Sequence, residues 1–177
     1  LALRFDTAAA APAVARHALD LPRLAVLQTW TSTQSAGWVR MIFDDQKVPY
    51  MLIMDDDVRK GGLRSRFDVI LYPETNGNLR RLVGGIDPKF GPLAYTKTAE
   101  SPSHGTPTAS SDITGGITWA GLANIDTFVR EGGVLLTLGN SFKLPVDGGI
   151  VRDVTTAEAS GVTNPGSELR VRFRRPE

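Results

Sequence analysis

Short apolar runs separated by polar, glycine-rich stretches set the rhythm of this chain. Arg23–Gln28, Tyr50–Met54, Phe67–Tyr72 and Val134–Leu138 are each apolar almost throughout and are bounded by turn-forming residues. Such runs predict strands buried on both faces of a parallel sheet. Between the first two, Thr29–Ser35 is polar and rich in Thr and Ser, suited to a turn and a helix N-cap. From Gly37 to Val48, Trp38, Met41, Ile42 and Asp45 fall at helical spacing, and Val39 and Phe43 broaden the apolar face. That pattern predicts a helix with Trp38 in the core, ended by Pro49. Ile117–Glu131 predicts another helix, with Leu122, Ile125, Phe128 and Val129 on one face and Gly132-Gly133 as its stop. Ile150–Val154 reads as a short fifth strand. Glu168–Phe173 alternates Leu169, Val171 and Phe173 with arginines, which predicts a half-exposed edge strand.

Strand and helix therefore alternate, which argues for an α/β fold with a mostly parallel sheet and right-handed crossovers. Two stretches break the pattern. Residues 1–22 are rich in Ala and Pro and read as a linker, with one helical turn near Val14–Leu19. Glu74–Gly116 is rich in Gly, Pro, Ser and Thr and holds no sustained period; loops of that length are lids, binding loops or mobile segments. The domain is expected to occupy residues 23–177. The chain opens at Leu1 without Met and stops directly after the alternating segment, so a piece of a longer protein is expected.

Composition narrows the function classes. A chain of 177 residues with 41% hydrophobic and 22% charged residues is one globular domain by size. Its net charge of +1 supplies no field that would select nucleic acid or an anionic membrane. No apolar run approaches the roughly 18 residues that span a bilayer. The absence of cysteine removes disulfides, thiolate metal sites and cysteine nucleophiles together.

In open α/β sheets, ligands gather at the carboxyl ends of the strands. Behind the last apolar run stands Gly139-Asn140-Ser141. Ser141 would be a nucleophile only with an adjacent base, for which His104 in the long loop is the candidate; capping the following helix is the simpler role. Gly139 and Asn140 offer a backbone N–H and an amide to an anion or carbonyl oxygen, or simply make a tight turn. Glu74 follows the third strand and could reach the same crevice. Asp55-Asp56-Asp57 lacks the alternating donors of a calcium loop, so no metal site is expected; one Asp ends the strand and another caps the next helical turn. Arg170, Arg172, Arg174 and Arg175 suit a protected sheet edge or a docking surface better than a nucleic-acid contact. Of the three tryptophans, Trp30 stands at the crevice end, for a ligand or for packing beneath the long loop. The candidate ligand-binding set is therefore Trp30, Glu74, Gly139, Asn140 and Ser141, with no catalytic residue and no cofactor.

Several segments in order resemble a known domain. Gln28-Thr29-Trp30-Thr31, Gly37-Trp38-Val39-Arg40 and Phe67–Pro73 are followed by Gly121-Leu122, Phe128–Gly133 and Pro165–Val171. Over residues 23–173 the set is similar to the class I glutamine amidotransferase-like domain appended to bacterial zinc carboxypeptidase-like proteins. The resemblance implies a three-layer flavodoxin-like sandwich, a peptidase domain N-terminal to it in the parent protein, and a periplasmic or secreted setting. Active amidotransferases carry a cysteine on the turn after the strand matched by Val134–Leu138, activated by a later His and Glu. Here that turn holds Gly139-Asn140-Ser141, and no histidine follows His104. The histidines, His17 and His104, also lack the carboxylate spacing of a zinc peptidase. The expectation is a non-catalytic accessory domain that packs against the peptidase domain or binds a small polar ligand or partner. The alternatives are a serine hydrolase using Ser141 and His104, and a small-molecule or carbohydrate-binding module built on Trp30, Glu74 and Asn140.

Overall fold

A computed structural model describes residues 20–156 and residue 161. Four parallel strands form one sheet in the order β2-β1-β3-β4: β1 (Leu24–Leu27), β2 (Met51–Ile53), β3 (Val69–Tyr72) and β4 (Val134–Thr137). The register pairs Leu27 with Ile53, Ala25 with Ile70, and Tyr72 with Thr137. Helices connect the strands: α1 (Gln34–Asp45) joins β1 to β2, α2 (Asp55–Lys60) and α3 (Leu63–Arg66) join β2 to β3, and α4 (Leu79–Gly84) and α5 (Thr118–Arg130) lie between β3 and β4. A 3₁₀ turn (Gly139–Phe142) and α6 (Lys143–Asp147) follow β4. The result is a flavodoxin-like α/β sandwich. None of its helices is long and apolar enough to cross a membrane among the described residues.

The period-2 geometry of the strands divides the sheet into two unlike faces. Ala25, Leu27, Ile53, Ile70 and Tyr72 join Val58 of α2, Leu63 of α3 and Ile125 and Phe128 of α5 in one buried core. Phe128 reaches back across the helix end, so its ring fills the space where a side chain at Gly133 would stand. Val26, also fully buried, points to the opposite face, where α1 lies over β1.

On that second face the expected pattern is corrected. Trp38 is 59% exposed, and Met41 and Ile42 are similarly open. The helix turns Ala36 inward instead, with Val39, Arg40 and Phe43 half-buried along the same line. Two overlapping apolar stripes run along α1, and a residue at 36 small enough for close approach decides which one meets the sheet. β4, expected to be buried on both faces, is also different: it is an edge of the four described strands, and Val134 and Leu136 are each 48% exposed, while Leu135 packs toward the core.

Two further expectations change. Ile150–Val154 is not a strand: the chain turns at Gly148-Gly149, and Val151 N–H donates to Pro145 O at 2.9 Å, which folds the segment back on α6. The aperiodic stretch 74–116 contains α4 and a 3₁₀ turn, Pro88–Phe90. Asn78 Oδ1 caps α4 by accepting from Arg81 N–H at 3.1 Å, and Leu82 and Val83 are buried beneath it. A helix of fewer than two full turns carries too few apolar positions to register as a period. The rest of the stretch is an arm laid over α2. Tyr95 and Ser110 exchange backbone hydrogen bonds, Ser110 Oγ donates to Asp56 Oδ2 at 2.6 Å, and Arg59 donates to Gly116 O. The alternating segment 168–173, its arginines and residues 1–19 of the linker lie outside the described residues.

Candidate functional site

The strand order places the reversal of winding between β1 and β3, because the chain leaves β1 toward β2 and returns past it to β3. The crevice beyond the carboxyl ends of those two strands is where this architecture binds ligands. An open cleft of about 530 Å³ lies there. One wall is Thr31–Ser35, the turn from β1 into α1; the other is Glu74 and Asn76, just after β3; Trp38 lines it from the first turns of α1. Thr33 sits at the N-cap of α1, yet its hydroxyl makes no capping bond. The exposed side chain of Glu74 lies over the turn after β4. A methyl group on Gly139 would lie 2.7 Å from the Glu74 carboxyl carbon, and Gly139 has φ +53°. Only glycine both adopts that conformation readily and leaves room for the carboxylate.

Ser141 does not face this cleft. It is fully buried, and its Oγ lies 2.9 Å from Tyr72 O and 2.6 Å from Leu138 O. Its expected role as a cap is therefore corrected: the hydroxyl ties together the carbonyls that end β3 and β4, and Leu138, not Ser141, precedes the 3₁₀ turn. His104 is exposed on the arm and stacks on Tyr95, with ring centroids 4.8 Å apart; Tyr95 in turn packs against Trp30 at 5.1 Å. That aromatic column stands over the end of β1, whereas Ser141 sits under the ends of β3 and β4. Asn140 is exposed on the turn after β4.

Trp30 thus packs beneath the arm. It lines a second, narrower pocket of about 360 Å³ with Gln28, Arg40 and the arm residues Tyr95 and Thr106–Thr108. Arg40 Nη1 donates to Gln28 Oε1 at 3.3 Å. Trp30 Nε1 and Arg40 Nε are buried without a hydrogen-bond partner among the described residues.

The three aspartates diverge, as consecutive side chains must. Asp56 pairs with Arg59 and accepts from Ser110; Asp57 Oδ2 accepts from Met54 N–H at 3.2 Å, capping α2. Asp55 is 1% exposed; Oδ2 accepts a long bond from Trp30 N–H at 3.4 Å, and Oδ1 has no partner among the described residues. Burial pushes its pKa up to about 7, against the smaller opposing pulls of the Trp30 N–H and the Arg59 charge. Among the described residues no group of three His, Asp or Glu side chains gathers to hold a metal ion.

Of the candidate residues, Glu74 lines the cleft and Gly139 lies against it, Trp30 lines the neighbouring pocket, Asn140 is on the turn beside Gly139 but not in the cleft lining, and Ser141 is buried beneath. The cleft's other members, Trp38, Asn76 and Thr31–Ser35, were absent from the candidate set. The signal for them was the run of hydroxyl residues directly behind β1, which becomes informative only once the winding reversal is located at that strand. Comparison of the chain with models of protein families, with curated proteins and with solved structures returned no match.

Proposed function

We propose that this chain is a non-catalytic glutamine amidotransferase-like accessory domain of a zinc carboxypeptidase-like protein, acting by binding or packing. The carrying observation is the state of Ser141. A nucleophilic hydroxyl needs a base at hydrogen-bond distance and a path to substrate. The Ser141 hydroxyl is closed off from solvent, and its bonds go to two backbone carbonyls. With no cysteine in the chain, the turn after β4 holds no activated nucleophile. Ligand recognition then falls to the open crevice between β1 and β3, and packing against a neighbouring domain to the exposed ridge of Val134, Leu136 and Leu138.

Hydrolysis of γ-glutamyl p-nitroanilide and p-nitrophenyl acetate, followed for the wild type, Ser141→Ala and His104→Ala, tests this reading. The expected result is a rate no different from buffer-level hydrolysis for the wild type and both variants. A wild-type rate that falls in either variant would establish the serine hydrolase instead.

A further inference from the structure

We propose that the cleft between the β1–α1 turn and the end of β3 binds a neutral saccharide, with Trp38 as its stacking platform. The inference deepens the binding role proposed above and rests on it. Three features select this ligand class.

The first is an aromatic ring where burial would be expected. Trp38 keeps 59% of its surface open although it sits on an amphipathic helix, and the ring borders a polar cleft. The apolar C–H face of a pyranose stacks on such a flat, rigid surface, and the indole loses little freedom in presenting it. The second is the density of neutral hydrogen-bonding groups around that ring. Ser and Thr hydroxyls, the Gln34 and Asn76 amides and the Glu74 carboxylate supply donors and acceptors at close spacing, matching a ligand that is itself a ring of hydroxyls. The third is charge. Among the described residues the lining holds no Lys, Arg or His and one carboxylate, so no full positive charge is there to hold a phosphate or carboxylate ligand. Glu74 accepts from ligand hydroxyls; its exposed carboxylate lies over Gly139 at the edge of the cleft. The cleft volume of about 530 Å³ suits two or three sugar rings partly exposed to water.

The smaller pocket beneath the arm differs in its chemistry. It is lined by the Arg40 guanidinium, and Trp30 Nε1 and Arg40 Nε are buried there with no partner among the described residues.

The test uses the three tryptophans as reporters. The full chain, labelled with ¹⁵N, is titrated separately with maltotriose, cellotriose and chitotriose while the three indole N–H signals are followed. The Trp38 signal is assigned by its loss in Trp38→Phe. At least one trisaccharide is expected to shift the Trp38 signal saturably with a millimolar Kd, leaving that of Trp119, exposed on α5, unmoved. Followed by calorimetry, Trp38→Ala is expected to weaken binding by about tenfold or more, with Trp38→Phe between it and the wild type, and Glu74→Gln severalfold. Because Trp38 and Glu74 are exposed, unchanged melting curves are expected to confirm that the variants fold. Absence of a shift with all three sugars overturns the inference, as does binding that survives Trp38→Ala or moves Trp119 equally. Chromatography of the recovered sugar separates the two readings. An intact trisaccharide upholds both. A cleaved one keeps the saccharide site but overturns the non-catalytic role.

Discussion

Asp55 is a carboxylic acid almost wholly shut off from water. It follows β2 directly, starts α2, and is sealed by the β1–α1 turn through the Trp30 N–H. Its pKa near 7 in the folded chain, against about 3.9 in the unfolded one, means that the folded state keeps a proton that the unfolded state gives up. The stability this group contributes is fully present below pH 3.9 and is lost as pH rises toward 7. Urea denaturation of the wild type and Asp55→Asn across that window should show the wild type losing up to about 4 kcal/mol relative to the variant as pH rises from about 4 to 7. Two parallel stability curves would mean that Asp55 is ionised in the fold. Ser141 makes a different prediction. Removing a hydroxyl that ties two strand-end carbonyls should cost about 1–2 kcal/mol, read as a lower denaturation midpoint in Ser141→Ala with an unchanged slope.

At the scale of elements, β4 and α1 share one feature: each has an apolar surface larger than the described fold covers. For β4 the two sides of the strand separate cleanly. Leu136→Thr should change stability by less than about 0.5 kcal/mol, whereas Leu135→Thr, against the core, should cost about 1–2 kcal/mol. Equal losses at both sites, measured by urea midpoints, would show that a covering segment occupies the exposed ridge. These two elements also mark where sequence pattern reached its limit. All four described strands were legible because a strand buried in a parallel sheet leaves a continuous apolar run. Position in the sheet leaves no such mark: Val134–Leu138 is more apolar than Arg23–Gln28, yet the first is an edge and the second is central. Trp38 was misplaced for a related reason. Helical spacing identifies stripes, and α1 has two; the choice between them depends on how closely Ala36 lets the helix approach β1. In the site, Glu74 and Gly139 were legible from chain order alone. The partnership of Glu74 with Trp38 and the Ser/Thr turn was not, since it needs the winding reversal between β1 and β3. Ser141 had the right residue type for a cap but bonds to carbonyls, because a 3₁₀ turn follows β4 and points its side chain down between the strands.

At the scale of the molecule, stability is divided unevenly. The strands and α5 share a single core in which Ile53, Ile70 and Ile125 have no exposed surface. The arm from residue 91 to 113 is mostly exposed; Ser110 ties it to Asp56 of α2, Tyr95 packs on Trp30, and Arg59 of α2 holds the chain just beyond it at Thr114 and Gly116. Hydrogen exchange should therefore give two classes: amides of β1, β3 and α5 exchanging only through global unfolding, and arm amides exchanging far faster through local opening. Arm amides as protected as those of β3 would mean that the arm is part of the folding core. The arm also roofs the Trp30 pocket, whereas the Trp38 cleft is lined by the β1–α1 turn and the segment after β3 and by no arm residue. The described residues thus present a floor of strand ends and an open polar crevice beside it, with the Ser141 hydroxyl buried beneath that floor.

Intact-mass spectrometry after incubation of the folded protein with a fluorophosphonate tests this most directly, because the reagent labels serines only when they are activated and reachable. The protein is predicted to keep its unmodified mass, with Ser141 unlabelled after peptide mapping. A phosphonyl adduct on Ser141 that forms in the folded chain and disappears in His104→Ala would contradict it.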